Sequence, residues 1–343
     1  MLALRKFEPA PGIGLVEVPR PRAGAGEVIV AVEAAGICGT DLHIADWTGG
    51  YEAMTSAMPV TLGHEFAGRV TGGTGLAAGL RVVVRPSVVC GTCAACRTGT
   101  AERCTARTGI GIRRDGGFAA EIVVPAANCV AIPDGLDAEI AALAEPMTVA
   151  AEAVDRAALR PGARVLVLGP GPIGLGVALF AQSAGAGEIV LAGRDDAARF
   201  AAARALGFDR HVDVGALSLA EALVVAGEGR PFDAVVEATG VARLVGEALA
   251  VLDQDGTLVV VGIHSRPAAL DLVRLVRSGQ TVRGSYRAPL ATWPRIVARL
   301  AAEPGRFRRL ISHRLPLEAA LDGFAAMRDR SGVKVMLRPE VPA

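Results

Sequence analysis

The sequence predicts an α/β chain of two domains, with a doubly wound parallel sheet in its later half. Three observations predict it. The 343 residues exceed what one hydrophobic core ordinarily organises, so two domains are expected. From Arg164 onward, short apolar runs alternate with helical patterns, the order that builds a parallel sheet flanked by helices. A glycine run also sits between the first two of those apolar runs, where a strand would turn into a helix.

The glycine run is the sharpest of the three. Residues 164–168 read as a short buried strand, and Gly169-Pro170-Gly171-Pro172-Ile173-Gly174 follows directly. Residues 175–183 continue with helical apolar content, and 189–192 form the next strand. In such a unit the first glycine allows the tight turn and the second lets backbone approach a pyrophosphate. The third lets helix and strand pack closely, and the helix N-terminus favours the phosphates. Alone the pattern is weak; inside strand–helix–strand it is strong. Further strands fall at 234–237, 258–261 and 281–284, with helical patterns at 197–206 and 241–252. Gly240 and Gly262 lie just past strand ends, where ligands bind in these sheets.

Composition excludes several classes. The hydrophobic fraction is 51% with 42 glycines, which suits an ordered globular chain rich in tight turns. A net charge of +1 offers no footprint for nucleic acid or an anionic membrane. Residues 1–18 carry Arg5, Lys6, Glu8 and Glu17, with no apolar targeting core. The longest uncharged stretch, 165–187, is punctuated by glycine and proline and reads as strand–turn–helix rather than a membrane span. A soluble cytoplasmic protein is expected, with no membrane or nucleic-acid partner.

The earlier half carries metal chemistry. Cys90, Cys93, Cys96 and Cys104 form a C-x2-C-x2-C-x7-C run in a glycine-containing loop, the donor set of a closed structural zinc site. A disulfide cluster or an iron–sulfur loop are the other readings. A long chain able to fold on its own core has little need of disulfides, and the spacing is tight for two bridges. Cys129, in an apolar stretch before Pro133, reads as a small buried hydrophobe. Cys38 is different. Gly39-Thr40-Asp41-Leu42-His43 follow it, and Gly63-His64-Glu65 come later. A thiolate, imidazoles and a carboxylate so close in sequence make a plausible second metal site with an open position. Singly, each residue has a plain structural explanation, and Glu145 before Pro146 could simply open a helix; the conjunction with the four-cysteine loop points to metal.

In this order, the Cys38–His43 segment, Gly63-His64-Glu65, the four-cysteine loop, Glu145-Pro146 and the glycine fingerprint resemble the zinc-containing medium-chain dehydrogenases/reductases of the alcohol dehydrogenase superfamily. The likeness spans essentially the whole chain. Within that superfamily it is similar to the polyol (sorbitol/L-iditol) and L-threonine dehydrogenase branch. The resemblance implies a GroES-like, mostly β catalytic domain at 1–149 and 288–343, with a Rossmann domain at 150–287. It implies two zinc ions per chain, with Cys38, His64, Glu65 and Glu145 at the catalytic one and Cys90, Cys93, Cys96 and Cys104 at the structural one. The resemblance implies that zinc polarises an alcohol oxygen, that Thr40 and His43 relay its proton, and that hydride passes to NAD(P). The implied substrate is a small secondary alcohol or its ketone: a polyol, cyclitol or amino alcohol, with an L-threonine 3-dehydrogenase as the alternative. Cofactor contacts are expected from Gly169, Gly171, Pro172, Ile173, Gly174, Gly193, Arg194, Thr239, Gly262, Ile263, Tyr286 and Arg287. Relatives are commonly dimers or tetramers, so a homodimer or homotetramer is implied, with 257–263 and 268–273 as candidate contacts.

One departure bears on the cofactor. NAD-preferring members place an acidic residue at the end of the second strand, and Gly193-Arg194 stand there instead. An arginine can pair with a 2′-phosphate, so the charge pattern favours NADP. In the rival reading, Asp195 reaches the ribose and Arg194 is solvated. The loop 46–59, with Trp47, Tyr51, Met54 and Met58, either walls the substrate pocket or packs on its own domain. Ser87 is a further candidate near the substrate. Two readings from other classes are a zinc-free quinone reductase and a non-catalytic zinc-binding regulator; the first lacks both metal sites, and the second requires a broken catalytic constellation.

Overall fold

The computed structural model describes residues 1–340. The chain forms two compact units: Met1–Glu145 with the chain from Trp293 onward, and Pro146–Thr292.

The first unit is mostly β. Its long strand Glu27–Gly36 alternates small and branched apolar residues, nearly all buried. That strand pairs antiparallel with Glu65–Gly73, Glu121–Pro125 and Lys334–Arg338. Arg81–Val84 and Cys129–Ala131 extend the sheet on one side, and Ile311–Pro316 on the other. Register matters most at one end. Gly36 lies opposite Glu65 on one neighbour and Met336 on the other. Residues just outside those positions, namely Cys38, His64 and Lys334, are thereby gathered at one corner of the sheet. Beneath it Phe66, Phe118 and Phe324 are fully buried, the last two edge to face with ring centroids 6.3 Å apart.

The second unit is a six-stranded parallel sheet. Its strands are β1 (Arg164–Leu168), β2 (Glu188–Gly193), β3 (His211–Asp213), β4 (Phe232–Glu237), β5 (Leu252–Val260) and β6 (Thr281–Gly284). Their spatial order is β3-β2-β1-β4-β5-β6, the doubly wound arrangement expected. Every pairing is parallel. Strand β1 is buried along its whole length because helices cover both faces of such a sheet. Leu258 and Val259, within the run proposed above as a subunit contact, are fully buried in this core. Leu272, Val273 and Val276, by contrast, are exposed. The three-residue β3 and the helix Leu219–Val225 were not foreseen. Among the described residues no helix is long and apolar enough to cross a membrane.

The glycine run meets three different constraints. Gly169 has φ +96°, and a Cβ on it would come within 2.8 Å of Thr239 Cγ2. A Cβ on Gly171 would meet nothing within 4 Å, so the backbone there is open to a ligand. A Cβ on Gly174 would sit 1.9 Å from the Gly169 carbonyl oxygen. Gly174→Ala must therefore push the helix Pro172–Ser183 off the turn. The expected cost is about 1–3 kcal/mol, read as a lower midpoint in denaturant unfolding. An unchanged midpoint would show that the turn relaxes without penalty.

Candidate metal centre and nucleotide site

Cys38 is the N-cap residue of the short helix Gly39–Ala45. Its backbone N–H donates to Asp41 Oδ2 at 2.9 Å, a cap that orients the first turn. Gly63, with φ +93°, turns the chain just before His64 and the strand that opens at Glu65. A Cβ on Gly63 would press within 2.6 Å of the Phe118 ring. The ligand atoms of Cys38, His64 and Glu65 all lie within 4.8 Å of one another. Glu145, second residue of the helix Ala144–Ala157, is not in that group of three, although its carboxyl feels the charges of His64, Glu65, Lys334 and Asp41.

Asp41 and Lys334 are the residues that motif reading missed. Asp41 is completely buried, and its Oδ1 lies 3.5 Å from His64 Nδ1. Those two atoms have no aligned hydrogen-bond partner among the described residues. An imidazole held by a carboxylate at Nδ1 presents Nε2 to a metal. On the other side Lys334 Nζ donates to Glu65 Oε2 at 2.6 Å and to the Ile37 carbonyl at 2.9 Å. The capping pattern Cys38-x-x-Asp41 was a readable signal for the first; nothing local marked the second.

The charges explain what the centre holds. Burial, then the Glu65 carboxylate, pushes the Cys38 thiol above its ordinary range, with His64 and Lys334 pulling the other way. Burial opposes charge on His64, but Asp41 and Cys38 together raise its pKa well above the usual imidazole value. Burial also works against the Lys334 ammonium, which Glu65, Cys38 and Glu145 hold charged. Glu145 is pushed up to about 7, first by burial and then by Glu65 and Asp41. One thiol and three carboxyls thus face one imidazole and one ammonium. A divalent cation fits that surplus, and thiolate, imidazole and carboxylate are zinc donors.

The four-cysteine loop is more exposed. Cys90 Sγ lies 3.6 Å from Cys104 Sγ and 4.0 Å from Cys96 Sγ. Four sulfurs each about 2.3 Å from one zinc stand roughly 3.8 Å apart, whereas a disulfide needs about 2 Å. All six cysteines are unpaired. Backbone donors from Thr92 and Cys93 lower the Cys90 thiol to about 6, while desolvation and hydrogen bonds to Cys93 and Cys104 push Cys96 to about 12. Cys129 is half-buried, and burial lifts its thiol to about 11.

Thr40 stands in the first turn and His43 in the last turn of the helix Gly39–Ala45, both partly exposed. His43 Nδ1 lies 3.0 Å from Thr48 Oγ1, which leaves Nε2 as the nitrogen facing away from that contact. Trp47, Tyr51 and Met58 pack against the core of the first unit, and Met54 is buried within it. The Lys6 ammonium sits 5.3 Å from the Trp47 ring centre. Ser87 Oγ is buried without a partner among the described residues.

In the second unit the expected nucleotide contacts gather at the carboxyl ends of the strands. Gly169, Gly171, Pro172, Ile173 and Gly174 follow β1 and open the helix Pro172–Ser183. Thr239 follows β4 beside Gly169, at the point where the strand order reverses. Gly193 ends β2, and a Cβ on it would meet Asp196 Oδ2 at 2.6 Å. Beyond it, Arg194 is 60% exposed and pairs with the exposed Asp195 at 3.5 Å. Asp196 instead turns inward, accepting from Arg194 N at 3.0 Å. Gly262 and the half-exposed Ile263 follow β5; Tyr286 and Arg287 follow β6, the guanidinium 4.3 Å from the ring centre. Three buried polar atoms at this edge lack partners among the described residues: Glu237 Oε2, His264 Nε2 and Ser285 Oγ. The first two stand 3.3 Å apart, and Ser285 Oγ remains as the polar atom at this edge that fits a polar cofactor.

The electrostatics yield a test. In metal-free protein the Cys38 thiol is protonated at neutral pH and Glu145 half so, and a bound cation must displace those protons. Zinc affinity at this centre is expected to rise from about pH 6 to about pH 8. Chelator competition on protein whose four-cysteine loop is already loaded measures it, and a flat profile would show the ligands ionised beforehand.

Comparison with known proteins identifies the family of the chain. The alcohol dehydrogenase GroES-like domain matches residues 24–134, and the zinc-binding dehydrogenase family matches residues 172–303. An L-threonine 3-dehydrogenase of Mesorhizobium japonicum is 33% identical over 342 residues, covering 98% of each chain. A solved zinc-binding dehydrogenase from Sinorhizobium meliloti 1021, bound to NADP, has TM-score 0.84 and 31% identity over 98% of this chain and 99% of that one. The 2R,3R-butanediol dehydrogenase of Bacillus subtilis has TM-score 0.84 and 29% identity over 99% of both. This chain belongs to the zinc-containing medium-chain alcohol dehydrogenase family, and it is a zinc-dependent, NAD(P)-linked oxidoreductase.

Proposed function

We propose that the chain oxidises a secondary hydroxyl of a polyol, cyclitol or amino alcohol, with NADP as preferred acceptor and two zinc ions per chain. The observation that carries this reading is the cluster of Cys38, His64 and Glu65 within 4.8 Å, with Glu145 sharing its field. Cys38, His64 and Glu65 would hold the catalytic ion, with Glu145 as a fourth ligand or the partner of its bound water, and Cys90, Cys93, Cys96 and Cys104 would hold the structural one. When bound, zinc polarises the hydroxyl and nicotinamide supplies the hydride acceptor. Asp41 orients His64, and Lys334 balances the charge of Glu65. Thr40 accepts the hydroxyl proton and His43 passes it to solvent, a role suited to imidazole near neutral pH. A second reading, oxidation of L-threonine at its secondary hydroxyl, is favoured by the relative of that name aligned along nearly the whole chain. The exposed Leu272, Val273 and Val276 support a homodimer or homotetramer, and six unpaired cysteines support a cytoplasmic setting.

Nicotinamide reduction across a panel of polyols, cyclitols, amino alcohols including L-threonine, and simple alcohols tests the reading. Cys38→Ala should lose one zinc of two and lower turnover by about three orders of magnitude. Turnover that survives this loss of metal would overturn the catalytic centre.

The cofactor choice rests on Arg194. Arg194→Asp should raise the KM for NADP about ten- to a hundredfold and lower that for NAD. An unchanged ratio of the two would leave Asp195 as the ribose contact and NAD as the natural partner.

A further inference from the structure

We infer that Glu237 and His264 form a positioning pair that ties together the loops following β4 and β5, so that His264 sets how tightly the nucleotide is held without entering hydride transfer. The inference rests on the reading that the nucleotide binds at the carboxyl edge of this sheet.

Glu237 ends β4 with a completely buried side chain. Its Oε1 accepts from Thr239 N at 2.7 Å, from Gly240 N at 3.0 Å and from the Thr239 hydroxyl. One carboxylate oxygen therefore fixes the whole turn after β4. The other oxygen, Oε2, faces the loop after β5. His264 Nε2 lies 3.3 Å from it, on a side chain only 15% exposed. Neither atom has an aligned hydrogen bond among the described residues, so each is the other's nearest remedy. A small rotation of the imidazole points its N–H at Oε2 and satisfies both.

The two loops approach closely at their glycines. A Cβ on Gly262 would come 2.3 Å from Gly240 N and 2.7 Å from Glu237 Oε2. A Cβ on Gly240 would come 2.5 Å from the Ile263 carbonyl oxygen. The loops lie backbone against backbone, and Glu237 and Val260 are paired in register immediately before them. Glu237 holds its own loop with three donors, and its backbone carbonyl accepts from Val261 N at 2.8 Å and Gly262 N at 3.1 Å; beyond those two bonds His264 is the side chain that ties the loop after β5 to it. Loss of the imidazole loosens residues 263–264 while leaving Gly262 N on the Glu237 carbonyl and the turn at Thr239 and Gly240 intact. The consequence is weaker nucleotide binding at unchanged chemistry, because Cys38, Thr40, His43, His64 and Glu65 are not on these loops.

The test uses full-length, zinc-loaded protein titrated with NADPH and with NADH, alongside steady-state kinetics. His264→Leu should raise the nucleotide Kd about tenfold. Turnover at saturating nucleotide should stay within about twofold, with zinc content intact. His264→Gln, which returns a donor at similar reach, should recover most of the affinity. Wild-type affinity in His264→Leu would overturn the inference, as would His264→Gln as weak as His264→Leu, since that pattern means packing alone. A collapse of turnover with Kd unchanged overturns it too, by putting His264 in the chemistry. Wild-type protein that binds neither nucleotide would sink the cofactor reading itself, and this inference with it.

Discussion

The pairing of Gly36 with Glu65 across two antiparallel strands is the constraint on which the metal centre depends. A one-residue slip would turn every side chain of a strand to the other face. It would send Glu65 away from Cys38 and break the cluster. The register is protected by the absence of a side chain at Gly36, where a Cβ would lie 2.5 Å from Glu65 Oε2. Lys334 arrives by the same logic from the strand on the other side, opposite the same glycine's neighbourhood. Three segments far apart in the chain therefore meet because one sheet has one register. The hydrophobic core beneath, with Phe66 and Phe118, supplies the energy that holds that register against the repulsion of buried acids.

The second unit solves a different problem with the same economy of side chains. A dinucleotide needs backbone close to its phosphates, and close approach is what glycine permits. Gly169, Gly171 and Gly174 each answer to a separate steric demand, while Gly240 and Gly262 let two neighbouring loops touch through their backbones. Between those two loops stand polar side chains, Glu237 fully buried and His264 only 15% exposed. The edge combines rigid loops with polar atoms, which is the combination a charged, hydrogen-bonding cofactor calls for.

Much of this was legible in the sequence because it is encoded locally. Strand β1, the glycine turn and the helix after it form one continuous segment, and their residues report their own constraints. The donor residues Cys38, His64 and Glu65 were visible as chemically unusual types in short motifs. What was not legible depends on long-range pairing. Lys334 looks like any surface lysine near the end of a chain, and only the sheet puts its ammonium 2.6 Å from Glu65. His264 is a lone imidazole in a loop until β4 and β5 are set side by side. The short β3 carried too few residues for any periodicity, since three positions cannot show alternation. The helix Leu219–Val225 did have a readable start, for Ser218 and Glu221 form a capping box. The loop with Trp47 was ambiguous because aromatic and methionine side chains serve packing and binding alike; here they pack on the core of the first unit.

The two cysteine-containing centres differ in a way that follows from their surroundings. The four-cysteine loop is partly exposed and surrounds its thiols with backbone donors, so at least Cys90 is readily ionised and the sulfurs already stand near tetrahedral spacing. Such a site gains nothing from mobility: four equivalent ligands close around an ion and leave no room for a reactant. Around Cys38, which is itself partly exposed, His64, Glu65, Asp41 and Lys334 are buried; the cluster mixes donor types, and its acids are held up in pKa or paired. Burial makes each of those charges costly, and the same low-dielectric environment strengthens the pull of a bound ion on a substrate oxygen. Asp41 beside His64 and Lys334 beside Glu65 hold those two side chains in position. An open position on a strongly charged, water-poor ion is what separates a catalytic metal from a structural one.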